Sequence, residues 1–293
     1  MQRTILDEIK ESFRTGTNLN KLLLINVGVY LIIKIIGVIC FLFRMPSFDS
    51  FVISWFAVPS NVIELMYKPW TIITYMFLHI EFLHILFNML WLFWFGKIFS
   101  EYLGENRLIP TYILGGLAGA ILYILAYNIF PVFRESLPFS VAMGASASVL
   151  AIVLATAAYI PEYSIQLMFI GNVKLKYIAI FTVVLDLLSI SGGNPGGHIA
   201  HLGGAFWGYI YILQLKKGYD ISAFFNNIFR KRQYIKKVKP QKSRIVTDEE
   251  YNYNKAQQQK RVDQILDKIS KSGYQSLTKE EKEFLFNASG KKK

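Results

Sequence analysis

Cysteine is nearly absent: Cys40 is the one thiol in 293 residues. A single cysteine excludes an internal disulfide and any site built from several cysteines. Cys40 lies in an apolar run, where a helix or lipid contact is expected of it. The opening stretch MQRTILDEIKESFRTG lacks the short basic start and adjoining apolar core of a cleavable signal, so the first apolar run is expected to stay as an anchor. The glycine-rich stretch SGGNPGG, residues 191–197, lacks the Gly-Lys-Ser/Thr ending and the preceding strand of a phosphate loop. It reads as a flexible connection. Acidic residues are few, 20 against 32 Lys and Arg, for a net charge of +12.

Hydrophobic residues make up 53% of the chain, and they are concentrated in residues 22–215. Six apolar runs approach the roughly 20 residues needed to cross a bilayer, near 22–43, 79–100, 110–129, 144–160, 174–190 and 198–215. The last three are short and rich in Gly, Ala or Ser. Backbone groups in lipid must be satisfied within the chain, so the runs are expected to be helices. The fold class is an all-α polytopic bundle of six transmembrane helices with a small cytoplasmic helical tail.

The positive charge follows topology rather than a nucleic-acid surface. Lys10, Arg14 and Lys21 precede the first run, Lys97 and Arg107 flank the second connection, and Lys174 and Lys176 flank the fourth. Arg230, Lys231, Arg232, Lys236, Lys237 and Lys239 follow the sixth, whereas the odd-numbered connections hold only Arg44, Lys68 and Arg134. The positive-inside rule then predicts cytoplasmic termini, with a basic tail able to touch anionic lipid. Lys34, near the middle of the first run, is read as snorkelling or facing a polar interior.

Polar groups inside membrane runs are costly and tend to be functional. Here they are His79, His84 and Asn88 in the second run, Ser146 and Ser148 in the fourth, and His198 and His201 in the sixth. In the predicted orientation, every even-numbered run starts at the outer face, so all seven fall at similar depth. Acyl transfer needs such an inventory. A serine hydroxyl becomes nucleophilic when an imidazole takes its proton, and the oxyanion needs preorganised donors such as Asn, His and backbone N–H groups. Ser146 follows Gly144 and Ala145 at an expected helix start, where free N–H groups and the positive dipole end lie.

Each residue also has a plainer role. A serine in MGASASV can be a packing residue, Asn88 can be interhelical glue, and an intramembrane histidine can bond a neighbouring carbonyl. Their coincidence at matched depth favours chemistry. His84 and Asn88, four apart, share one helix face. Gly204 and Gly208, also four apart, form a small-residue strip that admits a close helix neighbour. The fourth run is the inferred neighbour, bringing Ser146 to His201.

The second run, TYMFLHIEFLHILFNMLWLFWFG, has a histidine, a second five later and an asparagine four beyond. With MGASAS and AHLGGAFWG, it resembles the rhomboid family of intramembrane serine proteases over roughly residues 22–215. The resemblance implies Ser146 as nucleophile and His201 as general base, a dyad without a third acid. It implies Asn88 and His84 near the oxyanion, His79 as an outer histidine, Gly144 in the serine motif, and Gly204 and Gly208 as close-packing glycines. It also implies that no cofactor and no metal are used. Asp186 is the one candidate acid, read as making a structural hydrogen bond or water contact. Three positions depart from the pattern. Ala147 replaces a glycine, a small change of hydrogen for methyl beside the oxyanion site, and activity is still expected. Leu150 replaces an aromatic that stacks beneath the catalytic histidine in some members. Thr71 stands where many have Arg. In the family, the region of residues 191–197 is proposed to gate substrate entry.

The expected organisation is a cytoplasmic segment 1–21, a protease domain 22–215, a basic linker 216–247 and a helical tail 248–293. In the tail, VDQILDKISKSGY puts Val262, Ile265, Leu266 and Ile269 on one face, Gly273 ends the helix, and Thr278 with Glu281 makes a capping box. The expected partners are single-span or other membrane-protein substrates, the lipid bilayer and a cytoplasmic partner for the tail, not nucleic acid. The expected location is a bacterial inner membrane. The alternatives are a proteolytically inactive rhomboid-like binding or escort protein and a small transporter. Against the first stand intact Ser146 and His201. Against the second stands the lack of a charged relay across all depths.

Overall fold

A computed structural model of the protein describes residues 16–167, 170–223 and 247–289. Lys10, Arg14 and most of the expected linker, including its basic cluster, fall outside these residues. The chain forms two compact units, Met1–Lys231 and Arg232–Lys293.

In the first unit, each of the six apolar runs holds a helix. In chain order the helices are α1 (Asn18–Leu42), α2 (Phe48–Phe56), α3 (Val62–Tyr67), α4 (Thr71–Thr74), α5 (Phe82–Leu103), α6 (Leu108–Ile129), α7 (Ser146–Tyr159), α8 (Leu175–Ser189) and α9 (Pro195–Lys216). Among the described residues, three segments are long and apolar enough to cross a membrane: Asn18–Leu42, Phe82–Leu103 and Glu105–Ile129. Helix α7 has 14 residues, about 21 Å at 1.5 Å per residue, which is short of the roughly 30 Å hydrocarbon layer. It is enclosed by α5, α6, α8 and α9, and ten of its residues are buried.

Local chemistry sets several helix starts. The Thr17 side chain accepts from Asn20 N at 3.2 Å, Asn61 from Ile63 N at 2.9 Å, and Asn194 from Gly197 N at 3.1 Å. With Asn194 as cap and Pro195 in the first turn, α9 begins inside SGGNPGG. The expected connection 191–197 is therefore shorter than the sequence suggests.

The seam between α7 and α9 is limited by backbone. A Cβ on Gly204 would lie 2.0 Å from the Ala147 carbonyl oxygen, and one on Gly208 would lie 2.1 Å from that of Ala151. Only hydrogen fits at either place. Two short pairings complete the unit. Strand β1 (Val58–Pro59) pairs antiparallel with β2 (Val141–Ala142), tying the first long loop to the segment before Ser146. Strands β3 (Ser164–Leu167) and β4 (Gly171–Lys174) form a hairpin between α7 and α8. On it, hydrogen bonds from Lys174 and Lys176 hold the Glu162 carboxyl down at about 2. Lys34 pairs with Asp49 at 2.8 Å, so its charge is met by α2.

The second unit contains α10 (Asp248–Ser272) and α11 (Lys279–Ser289). Helix α10 ends at Gly273, whose φ of 76° suits glycine. Thr278 N donates to Glu281 Oε2 at 2.8 Å, and Glu281 N donates to Thr278 Oγ1 at 3.3 Å. That is a capping box. Ile265 and Leu277 are buried.

Candidate active site

Ser146 opens α7, and the two residues before it are pinned by distant groups. Gly144 has φ of 121°, and a Cβ there would lie 2.7 Å from His84 Cε1. Its N–H donates to Tyr75 O at 2.8 Å. The Ala145 N–H donates to His79 Nε2 at 3.2 Å. His79 is fully buried and lies before the start of α5, which corrects its expected place inside the second span. The chain there stays apolar through Phe77 and Leu78, so hydropathy alone does not mark where the helix begins. His79 holds the serine loop, and its ring meets that of His84 edge-on at 5.1 Å.

His201 comes from the second turn of α9. Its Nε2 is 2.6 Å from Ser146 Oγ. Two residues 55 apart in sequence thus meet where the glycine strip lets α9 press on α7. The other ring nitrogen, Nδ1, is 2.8 Å from Asp186 Oδ1, and His198 Nδ1 is 2.7 Å from the same oxygen. Asp186 is buried on α8. The hydrogen bond expected of it is present, but its partners include His201. The pair implied by the resemblance thus has an acid beside it. An acid inside an apolar run marks the face turned to the bundle interior, but sequence separation hides which residue it meets there. His198 was noticed only as a polar residue, and it shares that carboxylate. Asp186, His198 and His201 bring three potential ligand atoms within 4.8 Å, and these atoms are already engaged with one another.

Asn88 is buried on α5, with one amide N–H donating to His84 O at 2.9 Å. An amide carries two N–H groups, so one remains. Asn88, His84, Ser146 and His201 all line one cleft of about 990 Å³ bounded by α5, α7, α8 and the β3–β4 hairpin. Its remaining wall is largely apolar. The first-turn N–H groups of α7 open beside Ser146 without intrahelical acceptors.

Residues 67–217, a little over half of the chain, match the family model for the rhomboid domain. The chain belongs to the rhomboid family. Residues 246–291 match a family of unknown function, DUF6576. Among relatives, this rhomboid is 31% identical over 157 residues to "RHOMBOID-like protein 12, mitochondrial" of Arabidopsis thaliana, covering 50% of this chain and 47% of the relative. It is 27% identical over 118 residues to "Rhomboid protease GlpG" of Salmonella paratyphi A, covering 34% of this chain and 38% of the relative. The GlpG of Salmonella typhi matches equally. The chain thus spans about half or less of the length of these curated relatives.

The three departures of this rhomboid each have a physical setting. The Ala147 methyl sits against Gly119, where an added Cβ would come within 2.6 Å, so it packs on α6. Leu150, one turn below Ser146, lines the cleft. Thr71 donates its hydroxyl to Lys68 O at 2.7 Å and is spent on local structure. Ser148 is buried toward Gly116 and Met76, away from the cleft lining.

Proposed function

We propose that this rhomboid is an intramembrane serine endopeptidase that hydrolyses peptide bonds in or near transmembrane segments of membrane proteins. The observation that carries the proposal is the 2.6 Å contact of His201 Nε2 with Ser146 Oγ at the wall of a largely apolar cleft. Ser146 Oγ attacks the scissile carbonyl carbon while His201 Nε2 takes the hydroxyl proton. The negative charge that collects on the carbonyl oxygen meets the free N–H of Asn88, the His84 ring and the first-turn N–H groups of α7. Collapse breaks the C–N bond, and His201 returns the proton to the leaving amine. Water then hydrolyses the acyl-Ser146 ester by the same route in reverse.

In this proposal α1, α5, α6, α7, α8 and α9 form the six-helix membrane domain, residues 22–215, with cytoplasmic termini. The Lys and Arg asymmetry supports that orientation, and the membrane proposed for it is a bacterial inner membrane. The tail 248–293 then faces the cytoplasm and whatever partner it has there. With Cys40 replaced by alanine, Gly192→Cys is expected to label from outside and Ile245→Cys only from inside. The reverse pattern overturns the orientation. A fluorophosphonate probe is expected to label the wild type and not Ser146→Ala. An unlabelled wild type that binds membrane proteins without cutting them would favour an inactive escort.

A further inference from the structure

Resting on the serine-protease reading above, we infer that Asp186 is the positioning residue of a Ser146–His201–Asp186 triad in this chain. The imidazole has two nitrogens with opposite duties. To receive the serine proton, Nε2 must be an acceptor, so the ring proton must sit on Nδ1. Asp186 Oδ1 lies 2.8 Å from His201 Nδ1. An ionised carboxylate only accepts hydrogen bonds, so it selects the Nδ1–H tautomer and aims Nε2 at Ser146 Oγ, 2.6 Å away. When the proton arrives, the same carboxylate faces the new imidazolium.

Two further observations support this role. Asp186 is one of three buried residues on α8, beside Leu175 and Ala179. A carboxylate there is costly unless its partners need it. His198, one turn before His201, donates to the same oxygen at 2.7 Å, which fixes the carboxylate from a second side. Meanwhile Leu150, an aliphatic residue, lines the same cleft, and among the described residues the ring paired with His201 is His198, edge-on at 5.8 Å. Orientation of the base therefore comes from a carboxylate rather than from a stacked ring beneath it.

The test measures kcat, KM, melting temperature and the rate of fluorophosphonate labelling for purified wild type, Asp186→Ala, Asp186→Asn and Asp186→Glu. Both uncharged variants are expected to lose about 10⁴-fold in kcat, the order associated with removing the third member of such a triad. KM is expected to stay within about twofold, and Ser146 labelling to slow in parallel. Asp186→Asn, nearly the same shape, keeps the test valid if Asp186→Ala unfolds. Asp186→Glu, which restores the charge, is expected to recover part of the loss. Wild-type kcat in folded Asp186→Asn overturns the inference, as does a loss confined to melting temperature or KM. A wild type that neither cleaves nor labels overturns the serine-protease reading itself, whereas an active wild type with unimpaired Asp186 variants overturns only the triad.

Discussion

Helices α7 and α8 flank the same cleft and are built on opposite terms. Helix α7 buries ten of 14 residues, and α8 buries three of 15. Helix α7 is held through backbone contacts with α9, at Gly204 and Gly208, which leave no freedom in depth or rotation. Helix α8 leaves most of its apolar side chains exposed, with Tyr177, Phe181 and Leu185 lining the cleft, and it meets His201 through Asp186. Small residues thus fix where Ser146 sits, and one buried charge fixes how the neighbouring helix meets it. Side chains on the two helices should therefore differ sharply in what they tolerate.

The largest effect is expected at the start of α7. Ser146→Ala should reduce cleavage to background, while Ser148→Ala, two residues on and packed toward α6, should retain most of it. Both keep the α7 seam. Cleavage by Ser146→Ala at the wild-type rate would remove Ser146 as nucleophile.

Next comes the opposite wall of the cleft. Asn88→Ala is expected to lower kcat by about 10²–10³ with a smaller change in KM, because its free N–H meets a charge present mainly in the transition state. Asn88→Asp should be at least as damaging, since a carboxylate repels the oxyanion. The amide also bonds His84 O, so a packing role is a real rival. Early melting with normal turnover in the folded fraction would decide for packing.

The seam itself is tested by stability. In Gly208→Val the new side chain would start 2.1 Å from the Ala151 carbonyl oxygen, a backbone atom that cannot swing aside. Overpacking typically costs about 1–3 kcal/mol, and about 3 or more is expected here because two helices must separate. The check is the denaturant or thermal midpoint in detergent. An unchanged midpoint would mean that the α7–α9 approach is looser than the glycines imply.

How far these elements could be read from the sequence follows from whether the signal is local. Apolar runs, the capping box at Thr278–Glu281 and the spacing of Gly204 and Gly208 are local patterns, and each maps directly onto a helix, a cap or a seam. The serine loop is half local: MGASAS marks the turn, but the His79 contact with Ala145 depends on a fold-back that no spacing encodes. The β3–β4 hairpin has only a weak local signal, the Gly171-Asn172 turn pair with Ile165, Ile170 and Val173 about it. Apolar membrane-like composition outweighed it. The Asp186 contact was the least legible, because the rotation of α8 about its axis is set by tertiary packing.

The smallest effect is expected on the outward face of α8. Leu188 is 74% exposed and lies two residues beyond Asp186, pointing away from the cleft lining. Leu188→Ala removes apolar surface that touches little of the protein, so stability should move by no more than about 0.5 kcal/mol. Turnover should stay within about twofold, because Asp186 keeps its hydrogen bonds to α9. The same substitution on α7, Ile152→Ala, strips a fully buried side chain and should cost about 2–5 kcal/mol. Measuring both variants by melting temperature and turnover in one detergent tests the contrast directly. Equal destabilisation by the two would mean that α8 is as tightly enclosed as α7. A large loss of turnover in Leu188→Ala, with its melting temperature unchanged, would mean that the exposed face of α8 meets the substrate, and the division between a fixed helix and an outward one would have to be redrawn.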